Sequence, residues 1–195
     1  MKMSLKDFNP EPYVCQAGEV FYKAIAADGH CGIEVYCSRD SKEWQLTSEL
    51  SLQSDEILAP QLSCHAGKFW LVYSDVKVDA DIHNYLIIGD AVGGDWDEPI
   101  LLNSSGFGPF MFHDEDGAQY VLWHIWDDGR YCGVALQQYS HYRNRLVIEP
   151  KIIFKGNGDK FVLPQLQKVG ENYHLCVAEG IAVSSSIDGQ YTVNN

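Results

Sequence analysis

The sequence predicts an all-β protein of the β-propeller type, and three observations carry that prediction. A proline followed six to eight residues later by a turn glycine and then an aromatic strand recurs four times: Pro12 with Gly18, Pro60 with Gly67, Pro109 with Gly117 and Pro164 with Gly170. The glycines fall 49, 50 and 53 residues apart. No segment sustains a 3.6-residue apolar period beyond about two turns, so helices have no place in the pattern. Units of roughly 50 residues holding several antiparallel strands match propeller blades, which bury their faces by stacking on one another.

The strands follow in order within each unit. The aromatic segments 21–26 (FYKAIA), 69–74 (FWLVYS), 120–126 (YVLWHIW) and 173–178 (YHLCVA) are short, rich in aromatic and aliphatic residues, and bounded by turn residues. Second strands are read at 32–38, 84–88 and 131–137, and third strands at 44–46, 99–102 and 150–154. The blades then run roughly 8–55, 56–105, 106–158 and 159–195 within a single domain, 1–195. The proline-bearing segments 9–12, 58–61, 106–110 and 162–165 are expected to precede the first strands and to converge on one pocket, where propellers form their ligand sites.

Fourteen lysines and arginines against 27 aspartates and glutamates give a formal charge of -13, which argues against nucleic acid or an anionic membrane as partner. A neutral sugar is indifferent to that field. The apolar runs are strand-sized, short of the roughly 20 residues of a membrane helix, and the start lacks the apolar stretch of a signal peptide, so a cytoplasmic location is expected. The six cysteines form no C-x-x-C pair and read as packed free thiols. Cys64-His65 and His30-Cys31 lack a second pair at ligand spacing, and His113-Asp-Glu-Asp reads as a hairpin tip leading into Gly117; no metal or cofactor is expected. His83, His124 and His174 lie in strand contexts, where a hydrogen-bonded structural role is the default.

Several stretches resemble family 43 glycoside hydrolases, above all their β-xylosidase branch. They include Phe8-Asn-Pro-Glu-Pro, Leu58-Ala-Pro-Gln-Leu, His83-Asn-Tyr, Trp96-Asp-Glu-Pro-Ile, Leu102-Asn-Ser-Ser-Gly-Phe-Gly-Pro-Phe-Met-Phe-His-Asp-Glu-Asp-Gly, Trp126-Asp and Ala178-Glu-Gly, collinear over nearly the whole chain. The resemblance implies a five-bladed propeller, of which about four blades are present, acting on xylosides or arabinosides with inversion. Inversion uses two carboxyls about 6.5–9.5 Å apart, and the family adds a third that tunes the acid.

Carried over residue by residue, the resemblance places the general base at Glu11, the tuning carboxylate at Gly108 and the general acid at Val162. Only the first is an acid here. Weak or absent hydrolysis is therefore expected, the alternative being a non-catalytic carbohydrate-binding pseudoenzyme or a truncated gene product. Asp159, Asp127 and Glu179 are conceivable substitute acids, though a solvated turn or structural hydrogen-bonding role is the default for each. The expected ligand is a pentose or xylo-oligosaccharide, with Trp70, Trp123 and Trp126 as stacking surfaces and Asp127 beside them. The resemblance also implies that a histidine after Ala178-Glu-Gly, the fifth blade and a C-terminal β-sandwich are missing. Open end blades would then be met by tightening to four, by a homo-oligomer contact or by low stability.

Overall fold

A computed structural model describes residues 11–29, 31–77, 81–127, 130–158 and 162–193, the side chains of 127, 157 and 158 excepted. The described residues divide into two compact units, 11–104 and 105–193. Each holds two four-stranded antiparallel sheets, and in every sheet the strands lie in sequence order. The fold class is all-β, of the β-propeller type with four blades, as the repeat predicts.

In the first unit, β1 (Val14–Ala17), β2 (Val20–Ala26), β3 (Gly32–Ser38) and β4 (Gln45–Ser51) form one sheet; β5 (Glu56–His65), β6 (Lys68–Val76), β7 (Ile82–Gly89) and β8 (Ile100–Asn103) form the next. Ile33, Val35, Ile57, Leu62, Leu71 and Ile87 close a shared core, and Tyr22 meets Phe69 edge-on with ring centroids 5.1 Å apart. In the second unit, β9 (Phe107–His113), β10 (Gln119–Asp127), β11 (Arg130–Ser140) and β12 (Arg145–Gly158) form a sheet; β13 (Gln165–Val169), β14 (Asn172–Val177), β15 (Gly180–Ser184) and β16 (Thr192–Val193) form the last.

All four repeat glycines turn the chain between the first and second strand of a sheet at positive φ, between 62° and 86°. An added Cβ would meet nothing within 4 Å at any of them, so backbone conformation, not crowding, accounts for the residue.

The strand count needs a correction. The aromatic strands are second in their sheets, and each sheet has four strands where three were read. Pro60 lies within β5 and Pro109 within β9, while Pro12 and Pro164 precede β1 and β13. Proline inside an apolar run argues against a strand, but each of these strands is the first in its sheet and lies at its edge, where proline is tolerated. The ladder yields locally: the β5–β6 register shifts between Leu58 and Gln61, and Ala59 sits at φ 50°.

Candidate functional site

His124 organises the region around positions 108 and 162. It lies in β10, whose pairing with β9 shifts between Leu122 and His124 and whose pairing with β11 shifts between Ile125 and Trp126. Such irregularities re-aim side chains at the end of a sheet. His124 is buried, and its Nε2–H donates to the carbonyl of Val162 at 2.8 Å. A carbonyl only accepts, so the proton of the neutral ring is on Nε2. Burial pulls its pKa down to about 4, against the opposite pull of the backbone at Val162 and Gly133, so the ring is neutral at pH 7. Phe107 packs on it at 5.4 Å and Tyr131 edge-on at 5.0 Å.

Gly108 lies in the same cluster, buried and at φ 66°. A Cβ there would stand 2.7 Å from Leu163 Cδ2 and 3.5 Å from His124 Cδ2. Val162, by contrast, is 39% exposed. Positions 108 and 162 are thus brought together by His124 and Leu163; a side chain at 108 would require Leu163 to shift, whereas position 162 is open. Neither bears a carboxyl. Glu179 is exposed in the turn between β14 and β15, and its charge, after burial, helps push the Tyr131 phenol up.

Glu11 is exposed and three residues before β1, in the first unit. Of the stacking candidates, Trp70 is 2% exposed in β6, its Nε1–H directed at His65 O (3.4 Å), and Trp123 is 2% exposed in β10. Trp126 is half-buried and meets Phe107 edge-on at 5.6 Å, so it is the tryptophan of the three with surface to offer. Asp127 ends β10, with its side chain outside the description, and Asp159 lies outside the described residues.

The acidic run 114–116 is a hairpin tip, as its sequence suggests. Asp114 N–H donates to Ala118 O and Gly117 N–H to Asp114 O. Asp114 is also an anchor that its sequence context did not reveal. Tyr173 Oη donates to its Oδ2 at 2.6 Å, Glu115 N–H and Lys168 Nζ reach Oδ1 at 2.7 and 3.4 Å, and the third and fourth sheets are thereby joined. Burial raises this carboxyl, but those hydrogen bonds and the Lys168 charge outweigh it and hold the pKa below the usual carboxylate range.

Gln61 was missed as well. It is 2% exposed in β5, beside the strained Ala59, and neither end of its amide finds a hydrogen-bond partner among the described residues. Nothing in Leu-Ala-Pro-Gln-Leu separates it from an ordinary strand glutamine; only burial does. Among the described residues, no group of three or more His, Cys, Asp or Glu side chains has metal-binding geometry. All six cysteines are free, Cys15 buried and Cys31 exposed.

Four four-stranded antiparallel sheets, each with its strands in sequence order, define a protein of the β-propeller class. The model of Glycosyl hydrolases family 43 matches residues 4–194, and the chain belongs to that family. It is 39% identical to a beta-xylosidase of Bacillus subtilis over 97% of this chain and 41% of the relative. It is 34% identical, with the same coverage, to a xylosidase/arabinosidase of Humicola insolens. The crystal structure of a xylan beta-1,4-xylosidase from Bacillus halodurans superposes on 95% of the chain with a TM-score of 0.84 at 35% identity, covering 41% of that protein. The chain therefore spans about two fifths of the length of these relatives.

Proposed function

We propose that this chain is a β-xylosidase-type member of the family that binds a pentose or xylo-oligosaccharide and hydrolyses it weakly or not at all. The observation that carries the reading is the pair of positions held around His124: a valine where the resemblance puts the general acid, and a glycine, with Leu163 against it, where the tuning carboxylate would stand. Loss of a positioned general acid costs about 10²- to 10⁴-fold, most for a sugar leaving group that must be protonated. Glu11 supplies a carboxylate at the base position, one methylene longer than the family's aspartate. Trp126 supplies a partly exposed aromatic face for a pentose ring. The names of the relatives, β-xylosidases and xylosidase/arabinosidases, support a pentoside as the ligand.

The test compares an aryl β-xyloside, whose phenolate leaves with little protonation, with xylobiose. Slow turnover of the first and none of the second above buffer is expected. Turnover of xylobiose at an ordinary enzymatic rate, about 1–10³ s⁻¹, would refute the reading. Calorimetric titration with xylobiose addresses the second reading, a binding module without catalysis, favoured by the closure of position 108. Heat of binding without turnover of either substrate is its signature, and no heat at all leaves a truncated product.

A further inference from the structure

We propose that the far end of the third sheet is a second saccharide site, one that takes a sugar bearing a carboxylate. A cavity of about 410 Å³, within the size range of small-ligand sites, opens where the β9–β10 and β11–β12 turns meet. Gln119, Gln138, Tyr139, Ser140, His141 and Arg143 contribute to its lining. Gln119 and His124 are five residues apart on β10, so the cavity and the His124 cluster are separated by about 17 Å along the strand. It is not part of the site described above.

Two independent features select the ligand. The first is charge: the segment 141–148 that borders the cavity carries Arg143 and Arg145 and no acid, in a chain whose net charge is -13. Lys151 is neutralised by Asp188 at 2.9 Å, whereas Arg143 has no ion-pair partner among the described residues. The second is the lining. Amides and hydroxyls match sugar hydroxyls, and one guanidinium fork matches one carboxylate in a bidentate pair. A single arginine among amides and hydroxyls suits a uronate better than it suits a phosphate, whose larger charge calls for several cations. The turn is fixed by its own backbone, with Arg143 N–H donating to Ser140 O at 3.1 Å and Asn144 N–H to His141 O at 3.4 Å. The neighbouring carboxylate, Asp116, accepts from Ala118 N–H at 2.8 Å within the opposite turn.

The experiment titrates the full chain with glucuronosyl-xylose, xylobiose and inorganic phosphate, following backbone amide shifts by two-dimensional NMR and affinity by calorimetry. Glucuronosyl-xylose is expected to shift amides within 117–119 and 138–143. Its affinity is expected to fall about 10- to 100-fold in Arg143→Gln, an exposed change that leaves the fold intact, and to weaken with added salt. The proposal is overturned if xylobiose or phosphate shifts the same amides as strongly, if the shifts cluster instead at 106–110 and 162–165, or if Arg143→Gln binds unchanged. Because the two sites lie on opposite ends of the sheet, a null result here leaves the reading of the His124 cluster untouched, and the reverse holds too.

Discussion

Leu163 stands 2.7 Å from the point where a Cβ on Gly108 would be, so the leucine occupies the space that a carboxylate side chain at 108 would enter. Position 108 is also at φ 66°, which side chains other than glycine adopt at a cost. Gly108→Asp is therefore expected to destabilise the protein by about 2 kcal/mol or more. Leu163→Ala alone costs about 2–5 kcal/mol for its cavity. The double variant should lose less than the sum, by on the order of 1 kcal/mol, in a double-mutant cycle read by urea unfolding. Strict additivity would mean that Leu163 is not what closes the position.

That closure marks the limit of what the sequence disclosed. The period of the glycines was legible because positive φ leaves a residue signature, and each glycine is where the repeat put it. The edge strands around Pro60 and Pro109 were hidden, because proline speaks against a strand unless the strand is known to be outermost. Gly108 and Val162 were found through the resemblance. Their meeting through His124 was not, since a histidine in an aromatic strand carries no sign of the carbonyl it will hold 38 residues away. Leu163 and Gln61 look like ordinary residues until their neighbours in space are known.

His124 gives stability a pH dependence of definite sign. Its folded-state pKa of about 4, lowered chiefly by burial, lies below the ordinary 6.5. Between those values the unfolded chain takes up a proton that the folded chain does not, so stability is full above about pH 6.5 and falls as the pH drops towards 4. The loss is on the order of 3 kcal/mol for a shift of this size. His124→Gln retains a donor for Val162 O and removes the titration. Chemical denaturation across pH 4–6.5 should give a distinctly flatter profile for the variant; parallel profiles would show that the ring does not titrate as placed.

Asp114 acts in a more acidic window. Its carboxyl, lowered by Tyr173, Glu115 N–H and Lys168 against the opposing effect of burial, contributes stability above the ordinary value of 3.8 that is lost as the pH falls through its folded value. Tyr173→Phe should cost about 1–3 kcal/mol at neutral pH, and the difference from the parent should narrow below pH 3.8. A difference independent of pH would assign the effect to packing against Phe112 instead.

Gln61 should trade stability against ligand binding. A buried amide without partners costs about 1–3 kcal/mol, so Gln61→Met, close in volume, is expected to raise the unfolding free energy by an amount in that range. If the amide is kept for a sugar hydroxyl, the same variant binds xylobiose about tenfold more weakly. Thermal unfolding and calorimetric titration on one preparation decide it. A variant that is less stable than the parent would mean that the amide has a structural partner after all.

Position 162 is where the proposed general-acid role can be tested by introducing a carboxyl. Val162 is 39% exposed and its carbonyl is already held by His124, so a glutamate there needs neither a cavity nor a new backbone conformation. Val162→Glu is expected to leave stability within about 0.5 kcal/mol of the parent, unlike Gly108→Asp. If the residue supplies a general acid, its gain must depend on the leaving group: on the order of 10²-fold or more for xylobiose, whose departing oxygen requires a proton, and little for an aryl xyloside, which departs as a stabilised phenolate. Neutral His124 beside the new carboxyl adds no positive charge to hold it ionised, which favours the protonated form an acid catalyst needs. The ratio of the two gains is therefore the informative quantity. Equal gains on both substrates, or a gain on neither, would remove position 162 from the role of general acid.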